Sequence, residues 1–297
     1  MSQYNVQLQD GNGSLAGLRN QLINGDFRIW QRGASAYVGG TNPSYGSADR
    51  WCVNGSEAQL AQATAAPDGF IYSATQAVTA NGIRQRIELV DNKLGPFYNG
   101  SVWTLSFWST LTDTSYLIRI GTGNVTSVVI VPKTSITATG ETSNGFNRYE
   151  VTFTMVGASN GEEYLELVIY NDGSTQGNFT GVQLEPGPLA TPFEHRPVAT
   201  ELALCQRYYQ TGGADVYLMG PQVWSGTGDV ALSRQYNQLR GVVMRTTPTE
   251  ALTKVVGAAG TNLISQSSAT QMRIVTDATV ASGEDVRFKY DSADAEL

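Results

Sequence analysis

The chain has 297 residues, enough for one large domain or two ordinary ones. Only 15% of the residues are charged and the net charge is −7, whereas an average soluble domain is roughly 25% charged. The 19 basic residues are scattered, which argues against nucleic-acid binding because that function needs clustered Lys and Arg. No apolar run approaches the roughly 20 residues that cross a bilayer, so we expect no membrane insertion.

Residues 1–19 are polar and glycine-rich. They lack a basic region followed by an apolar core, so we expect no secretory signal peptide. Composition alone leaves this segment open to being a disordered terminus.

Alternation of apolar and polar residues predicts strands across most of residues 20–197. Trp103, Leu105 and Phe107 alternate with polar residues, and the same period of two recurs over 149–155 and 165–169. Asn-Gly and Asp-Gly pairs between these runs are turn formers. Repeated short antiparallel strands of this kind predict a two-sheet β-sandwich.

A proline-rich crossing follows the apolar strand that ends at Leu184. Pro186, Pro188, Pro192 and Pro197 exclude a regular helix or a central strand there. The sequence therefore predicts an extended connection between two structured regions.

A short helix is predicted from Thr200, whose hydroxyl can cap the first turn. Leu202, Cys205 and Tyr209 are spaced i, i+3 and i+7, so they would share one helical face. The Gly212-Gly213 pair is expected to end the helix.

The last part of the chain returns to strand patterns separated by glycines and predicts a smaller C-terminal β-domain. The candidate strands cover residues 216–219, 230–232, 239–244, 252–256, 272–275 and 286–290.

Four motifs occur in order between residue 20 and the C-terminus. They are the opening segment of residues 20–33 with Ala48-Asp-Arg-Trp51, the crossing of residues 181–209 with its Thr191-Pro-Phe-Glu-His-Arg-Pro197 core, Met244-Arg-Thr-Thr-Pro-Thr249, and Asp294-Ala-Glu-Leu297. Together they resemble a large group of bacteriophage virion proteins, mostly tail-fibre and receptor-binding proteins.

The resemblance implies a domain plan and an all-β fold. Residues 1–19 would attach the protein to another virion protein, residues 20–197 would form a jelly-roll β-sandwich of the carbohydrate-binding-module kind, and residues 198–297 would form the short helix and the C-terminal β-domain. The first strand of the sandwich, over residues 22–29, would lie near the last, over residues 179–184. No heptad repeat is present, so a homotrimer would form through β surfaces.

Groups suited to catalysis are sparse. The carboxylates considered for paired acid–base chemistry are Asp26, Asp49, Glu88, Glu150, Glu166, Glu185 and Glu194, and none falls in a catalytic motif. His195 is the single histidine, and no Gly-x-Ser-x-Gly motif accompanies it. We therefore expect no enzymatic activity, with His195 packing at a domain interface. Two cysteines, Cys52 and Cys205, are expected to be buried free thiols.

A structural calcium is the one cofactor that the resemblance makes conceivable, with ligands near Asn24-Gly-Asp26. Many related proteins carry an acidic residue directly after the next Phe, where this chain has Arg28. That departure argues against the metal. The alternative is that Asp26 caps a turn through its own backbone.

Aromatic side chains are the usual platforms for sugars, because a ring face stacks on the apolar face of a pyranose. Trp103 is in phase with core residues, and the resemblance implies that Trp30 and Trp51 also lie in the core. Trp108 is out of phase with Trp103 and free to face outwards. The candidate ligand contacts are Trp224 in a polar glycine-rich stretch, with Tyr217 and Tyr236 in the same domain. The residues expected at the junction or in assembly are Leu202, Leu204, Cys205, Arg207, Tyr208 and Tyr209.

Three functions stay open at this point. The resemblance favours a trimeric tail fibre that is assembled in the host cytoplasm, resides in the virion and attaches it to a host-surface polysaccharide. A purely structural capsid-decoration, baseplate or adaptor protein is the alternative. A polysaccharide depolymerase is disfavoured, because no catalytic motif is present.

Overall fold

A computed structural model describes residues 19–35, 37–38, 45–54, 59–76, 81–111, 116–122, 126–131, 136–156, 161, 163–171, 176–211, 230–239, 244–246, 248–256, 262–265, 269, 271–280 and 287–296. The chain divides into two units, residues 1–201 with residue 297, and residues 202–296. In the part of the chain that is described, no helix is long and apolar enough to cross a membrane.

The first unit is a jelly-roll β-sandwich, as predicted. Its strands are β1 (Tyr37–Val38), β2 (Cys52–Asn54), β3 (Gln59–Ala63), β4 (Ser73–Gln76), β5 (Asn81–Glu88), β6 (Val102–Ser109), β7 (Tyr116–Thr122), β8 (Thr126–Val131), β9 (Thr137–Ser143), β10 (Phe146–Thr154), β11 (Tyr164–Asn171) and β12 (Gly177–Pro186). One sheet has the order β1-β3-β4-β12-β6-β10-β9 and the other β2-β5-β11-β7-β8. Short 3₁₀ turns occupy Val90–Asn92 and Gly95–Phe97.

The core of the sandwich follows from the period-two pattern of its central strands. Trp103, Leu105 and Phe107 of β6 are buried, and Leu105 and Phe107 lie opposite Val151 and Tyr149 of β10. Successive strand residues point to opposite faces, so the polar residues between them lie on the outer face of the seven-stranded sheet. The predicted antiparallel pairing and core face are confirmed here.

A two-residue hairpin joins β9 to β10. Asn144 and Gly145 both have positive φ, 51° and 80°, and the flanking Ser143 and Phe146 are paired. Asn-Gly favours this geometry because both residues tolerate the left-handed region. The turn predicted from the sequence is therefore present.

Residues 22–29 do not form the predicted first strand. They do lie beside the last strand of the sandwich, β12, as predicted. The segment forms bends and turns, with Asn24 and Phe27 at φ 58° and 52°. Two backbone hydrogen bonds still tie it to β12, one donated by Gln21 (2.9 Å) and one accepted by Gly25 (2.9 Å). Positive φ values interrupt a strand, so the apolar residues of this segment reach the core from a folded loop.

The helix α1 spans Val198–Gln206, so it begins two residues before the predicted Thr200 and ends earlier than predicted. Tyr209 lies in the next strand and not on the helical face with Leu202 and Cys205, which corrects that expectation. The physical reason is that sheet pairing in the second unit competes for the chain directly after the helix. The proposed terminator Gly212-Gly213 lies outside the described residues.

The second unit contains two three-stranded antiparallel sheets. Its strands are β13 (Tyr209–Thr211), β14 (Val230–Leu239), β15 (Thr249–Val256), β16 (Asn262–Ser265), β17 (Gln271–Val280) and β18 (Arg287–Asp294). The sheets have the orders β13-β18-β15 and β14-β17-β16. The strands predicted over 230–232, 252–256 and 272–275 fall within β14, β15 and β17. Over 239–244, Leu239 ends β14, Met244 lies outside strands, and residues 240–243 are not described.

Candidate functional site

The opening motif is held by two buried asparagines. The Asn20 side chain donates to the Val182 carbonyl (3.1 Å) and accepts from the Leu184 N–H (3.0 Å), which fixes the start of the sandwich against β12. The Asn24 side chain donates to the carbonyls of Ile29 (2.9 Å) and Asp49 (3.0 Å). The two asparagines thus replace strand pairing with side-chain hydrogen bonds, because a bent segment cannot satisfy its backbone by a ladder.

Arg196 ties the proline-rich crossing to that opening motif. Its guanidinium donates to the carbonyls of Asn20 and Leu22, the latter at 3.1 Å, and pairs with Glu201 (3.3 Å) in the first turn of α1. Glu201 in turn accepts a hydrogen bond from the Asn24 N–H. Arg196 and Glu201 are 7% and 4% exposed, so this ion pair is desolvated and depends on its full set of partners.

The rest of the crossing is bound through carboxylates. Glu194 accepts from the backbone N–H of Asn20 at 2.9 Å. Glu185, which is 1% exposed, accepts from the N–H (2.8 Å) and the hydroxyl (2.6 Å) of Thr191 and pairs with Arg19 (3.1 Å). These carboxylates have structural partners, and their arrangement holds the crossing over the outer face of the seven-stranded sheet.

Two other carboxylates considered for catalysis are also engaged. Glu166 of β11 pairs with Arg84 (3.1 Å) and Arg86 (3.0 Å) of β5. Asp49 accepts from the Gln31 N–H at 3.2 Å and lies 3.6 Å from Arg32. Each is therefore explained by a structural contact within the sandwich.

Asp26 is neutralised by Arg28. The two side chains form an ion pair, and Arg28 also donates to the Arg196 carbonyl at 2.8 Å. Burial raises the pKa of Asp26, and the charges of Arg28 and His195 oppose that rise. Among the residues that the structure describes, no group of three or more His, Cys, Asp or Glu side chains is placed to hold a metal ion.

His195 belongs to an aromatic group within the first unit. Its ring lies 5.0 Å from Phe70 and 4.9 Å from Phe193, and those two rings are 5.2 Å apart. Desolvation lowers the pKa of His195, while nearby Asp26 acts to raise it. The histidine is exposed and serves this packing, and the described residues place no nucleophile hydrogen-bonded to it.

The tryptophans expected in the core are found there. Trp51 and Trp103 are buried, and Trp30 packs partly buried against the same cluster. Trp108 points to the outer face and is half-buried beside Phe70, where both would contact a side chain added at Gly181.

An open cleft of about 420 Å³ lies beside the start of β6. Its lining includes Pro96, Tyr98, Ser101, Val102, Gly187 and Pro188. Tyr98 is 61% exposed, and its side chain makes no hydrogen bond to the described residues. We refer to this feature as the Tyr98 cleft.

The loop that carries Tyr98 is rigid. The Ser101 N–H (3.0 Å) and hydroxyl (2.6 Å) both donate to the Tyr98 carbonyl. Gly100 donates to the Met155 carbonyl (2.8 Å), and Met155 donates to the Ser101 carbonyl (2.9 Å). Beneath it, Phe97 stacks on the buried Trp103 with ring centroids 4.2 Å apart. The exposed tyrosine is therefore presented on a fixed support.

Tyr98 was not predicted as a site residue, because it lies outside the alternating strand patterns. A signal was present: the segment has Gly95-Pro96 before it and Asn99-Gly100 after it. Both glycines have positive φ, 54° and 90°. An aromatic residue between two turn signals is typical of an exposed loop tip.

The junction residues form a second structural cluster, in the C-terminal unit. The Arg245 N–H donates to the Arg207 carbonyl (2.7 Å), and the Ala295 N–H donates to the Tyr208 carbonyl (2.7 Å). Tyr209 pairs with Asp294 across β13 and β18. The end of the crossing motif, the motif of residues 244–249 and the motif of residues 294–297 are thus joined by these hydrogen bonds. Of the other predicted junction residues, Cys205 is buried and Leu202 and Leu204 are half-buried.

The predicted ligand contacts in the C-terminal unit stay predictions. Trp224 and Tyr217 lie outside the described residues. Tyr236 lies in β14, opposite Ile274 of β17, and its side chain is not described.

Comparisons with known proteins give no family. No protein-family model and no curated protein matches the chain. Among solved structures, the enzymatically active domain of bacteriophage CBA120 tailspike protein 4 aligns at 17% identity and a TM-score of 0.35, over 61% of this chain and 23% of that one. The CBM22-2 xylan-binding domain from Paenibacillus barcinonensis Xyn10C aligns at 13% identity and a TM-score of 0.32, over 50% of this chain and 98% of that domain. This chain thus spans under a quarter of the tailspike chain.

Proposed function

We propose that this chain is a non-enzymatic phage virion protein, a trimeric tail fibre that attaches the particle to a host-surface glycan. The ordered motifs from residue 20 to the C-terminus support the virion assignment by resemblance. The observation that carries the glycan-binding part is the Tyr98 cleft, an open depression with a fixed, exposed aromatic ring at its edge. An aromatic ring is a common sugar platform, because its face and the apolar face of a pyranose pack together in water.

The proposed assembly accounts for how a shallow site could suffice. An open cleft buries little of a ligand, so each copy binds weakly. Three copies in a trimer, repeated around a tail, raise the overall affinity without new contacts. Residues 1–19 would join the trimer to another virion protein in the host cytoplasm, where the particle is assembled.

The test uses the purified full chain and the particle. We expect the chain to bind the extracted surface polysaccharide of the phage's host and to reduce particle adsorption in competition. Antibodies against the chain should label the tail in electron micrographs. Unchanged polysaccharide chain length after long incubation would separate binding from depolymerase activity, and release of oligosaccharides would contradict the proposal.

A second candidate is a purely structural protein that docks on a neighbouring protein. The observation in its favour is exposed apolar surface: Val102, which lines the cleft, is 37% exposed, and Val156 and Leu189 are 55% and 74% exposed. Antibody labelling of the capsid or baseplate, together with no polysaccharide binding, would select this candidate.

A further inference from the structure

We propose that the Tyr98 cleft takes a neutral sugar residue, with the Tyr98 ring stacked on its apolar face, and discriminates against acidic sugars. This inference rests on the proposed glycan-binding function and names the ligand chemistry of that site. It concerns the sandwich, whereas the sequence pointed to the C-terminal domain as the place of ligand contact.

The lining of the cleft is uncharged. The residues around it are Pro, Tyr, Gly, Ser, Val and Trp, and no Asp, Glu, Lys, Arg or His lines it in the part of the chain that is described. A uronic acid or a phosphorylated sugar would bring an anion that finds no Arg or Lys there, and losing its hydration without a counter-charge is unfavourable. The composition of the lining therefore favours hydroxyl-bearing, uncharged sugars.

The polar backbone around the cleft is largely used by the protein itself. The Gly187 N–H donates to the Val102 carbonyl (2.9 Å), and the Gly187 carbonyl accepts from the Thr104 hydroxyl (2.7 Å). The Ser101 hydroxyl donates to the Tyr98 carbonyl (2.6 Å) and accepts from the Trp103 indole (3.0 Å). Few donors are left for a ligand, so the ring face of Tyr98 must supply most of the contact.

The shape of the site fits a ring face. Pro96 and Pro188 line the cleft together with Tyr98, and all three residues are exposed, so aliphatic proline surface accompanies the aromatic ring. Backbone hydrogen bonds tie the supporting turn to Met155, the residue directly after β10. Little conformational entropy should therefore be lost when a sugar binds there. The site is thus pre-formed but shallow, which predicts weak binding by a single copy.

The experiment titrates the intact protein with neutral oligosaccharides (glucan, mannan, galactan and xylan fragments) and with oligogalacturonate as the acidic probe. Protein-detected NMR or calorimetry measures the affinity. We expect at least one neutral probe to bind and oligogalacturonate not to bind. Binding should be unchanged from low salt to about 0.5 M NaCl, since no ion pair contributes.

Matched variants locate the site. Tyr98→Ala should weaken neutral-sugar binding about tenfold, as expected from the loss of one ring contact. Ile71→Ala is the control, because Ile71 has the same 61% exposure elsewhere in the sandwich and should leave binding unchanged. Both variants should keep the melting temperature, since neither side chain is buried.

The outcomes separate this inference from the proposed function. If the intact protein binds its host polysaccharide but Tyr98→Ala binds equally well, the Tyr98 cleft is not the site and the attachment function stands. Preference for oligogalacturonate, or loss of binding in salt, would overturn the neutral-sugar specificity. If the protein binds no polysaccharide, the proposed function fails and this inference fails with it.

Discussion

Arg28 compensates the charge of the buried carboxylate of Asp26. Asp26 is 3% exposed, a costly position for a carboxylate without a cation. Arg28 supplies the positive charge beside it and also reaches the crossing through the Arg196 carbonyl. The arginine therefore links charge compensation to the attachment of the crossing.

Arg28→Ala should destabilise the sandwich more at neutral pH than in acid. Burial raises the folded-state pKa of Asp26 above the ordinary value of an aspartate, and the charge of Arg28 is the largest opposing influence. A raised carboxyl pKa means that stability is fully present below the unfolded pKa and is lost as pH rises through the folded pKa. Removing Arg28 raises that pKa further, so we expect a loss of about 2–3 kcal/mol near pH 7 and a smaller loss near pH 4.

Chemical denaturation at the two pH values measures this difference. Arg148→Ala is the control, because Arg148 pairs with Glu141, whose side chain is 55% exposed. Its effect should depend little on pH. Equal losses for Arg28→Ala at both pH values would show that Asp26 is not charged in the folded protein.

Residue-level contacts divide into those the sequence could predict and those it could not. Trp103 was predictable as a core residue from its phase in the alternating strand pattern, and Trp51 only from its place in the opening motif. The role of Arg196 was not, since two of its acceptors, the carbonyls of Asn20 and Leu22, lie more than 170 positions away in the chain. The local sequence around a single arginine in a proline-rich segment does not indicate which distant backbone carbonyls it will contact.

At the scale of elements, the bent opening segment approaches β12 so closely that only glycine fits at position 25. A Cβ added to Gly25 would collide with the Val182 carbonyl oxygen, which belongs to a sheet and cannot move aside. The Val182 N–H also donates to the Gly25 carbonyl at 2.9 Å. This contact takes the place of the first strand that the sequence predicted.

Gly25→Ala should therefore destabilise the first unit by more than about 3 kcal/mol, because overpacking against backbone cannot be relieved by a rotamer change. Gly145→Ala is the matched control: it lies in the β9–β10 turn with φ 80° and nothing near its missing Cβ. That substitution should cost only about 1 kcal/mol, from backbone strain. Thermal or urea unfolding compares the two, and similar losses would contradict the close approach.

Elements with a regular period were predictable, and those shaped by distant contacts were not. The strands β6, β10 and β11 follow from alternation alone. The segment over 22–29 has enough apolar residues for a strand, but Asn24 and Phe27 adopt positive φ to meet β12 and the crossing. Likewise α1 ends at Gln206 because the next residues pair with the end of the chain, a competition that local propensity does not contain.

At the scale of the whole molecule, the residues of the four ordered motifs make contacts that hold the fold together. The opening and crossing motifs meet in the polar network around Arg196, and the other motifs meet around Tyr208. Neither cluster contains the Tyr98 cleft. The motifs therefore account for structural contacts, and the residues proposed for ligand binding, Tyr98 in the first unit and Trp224 in the second, lie outside them.

The final prediction concerns assembly: the protein should be a homotrimer in solution. Its support is the resemblance, a charge content of only 15%, and the weak binding per copy that we proposed for the Tyr98 cleft. Light scattering after size-exclusion chromatography at micromolar concentration should give three times the chain mass of 31.9 kDa.

Leu204→Asp tests the junction helix, since a charge on this half-buried residue should weaken assembly if α1 contributes to the trimer contact. A stable monomer of the unmodified chain would contradict the trimer.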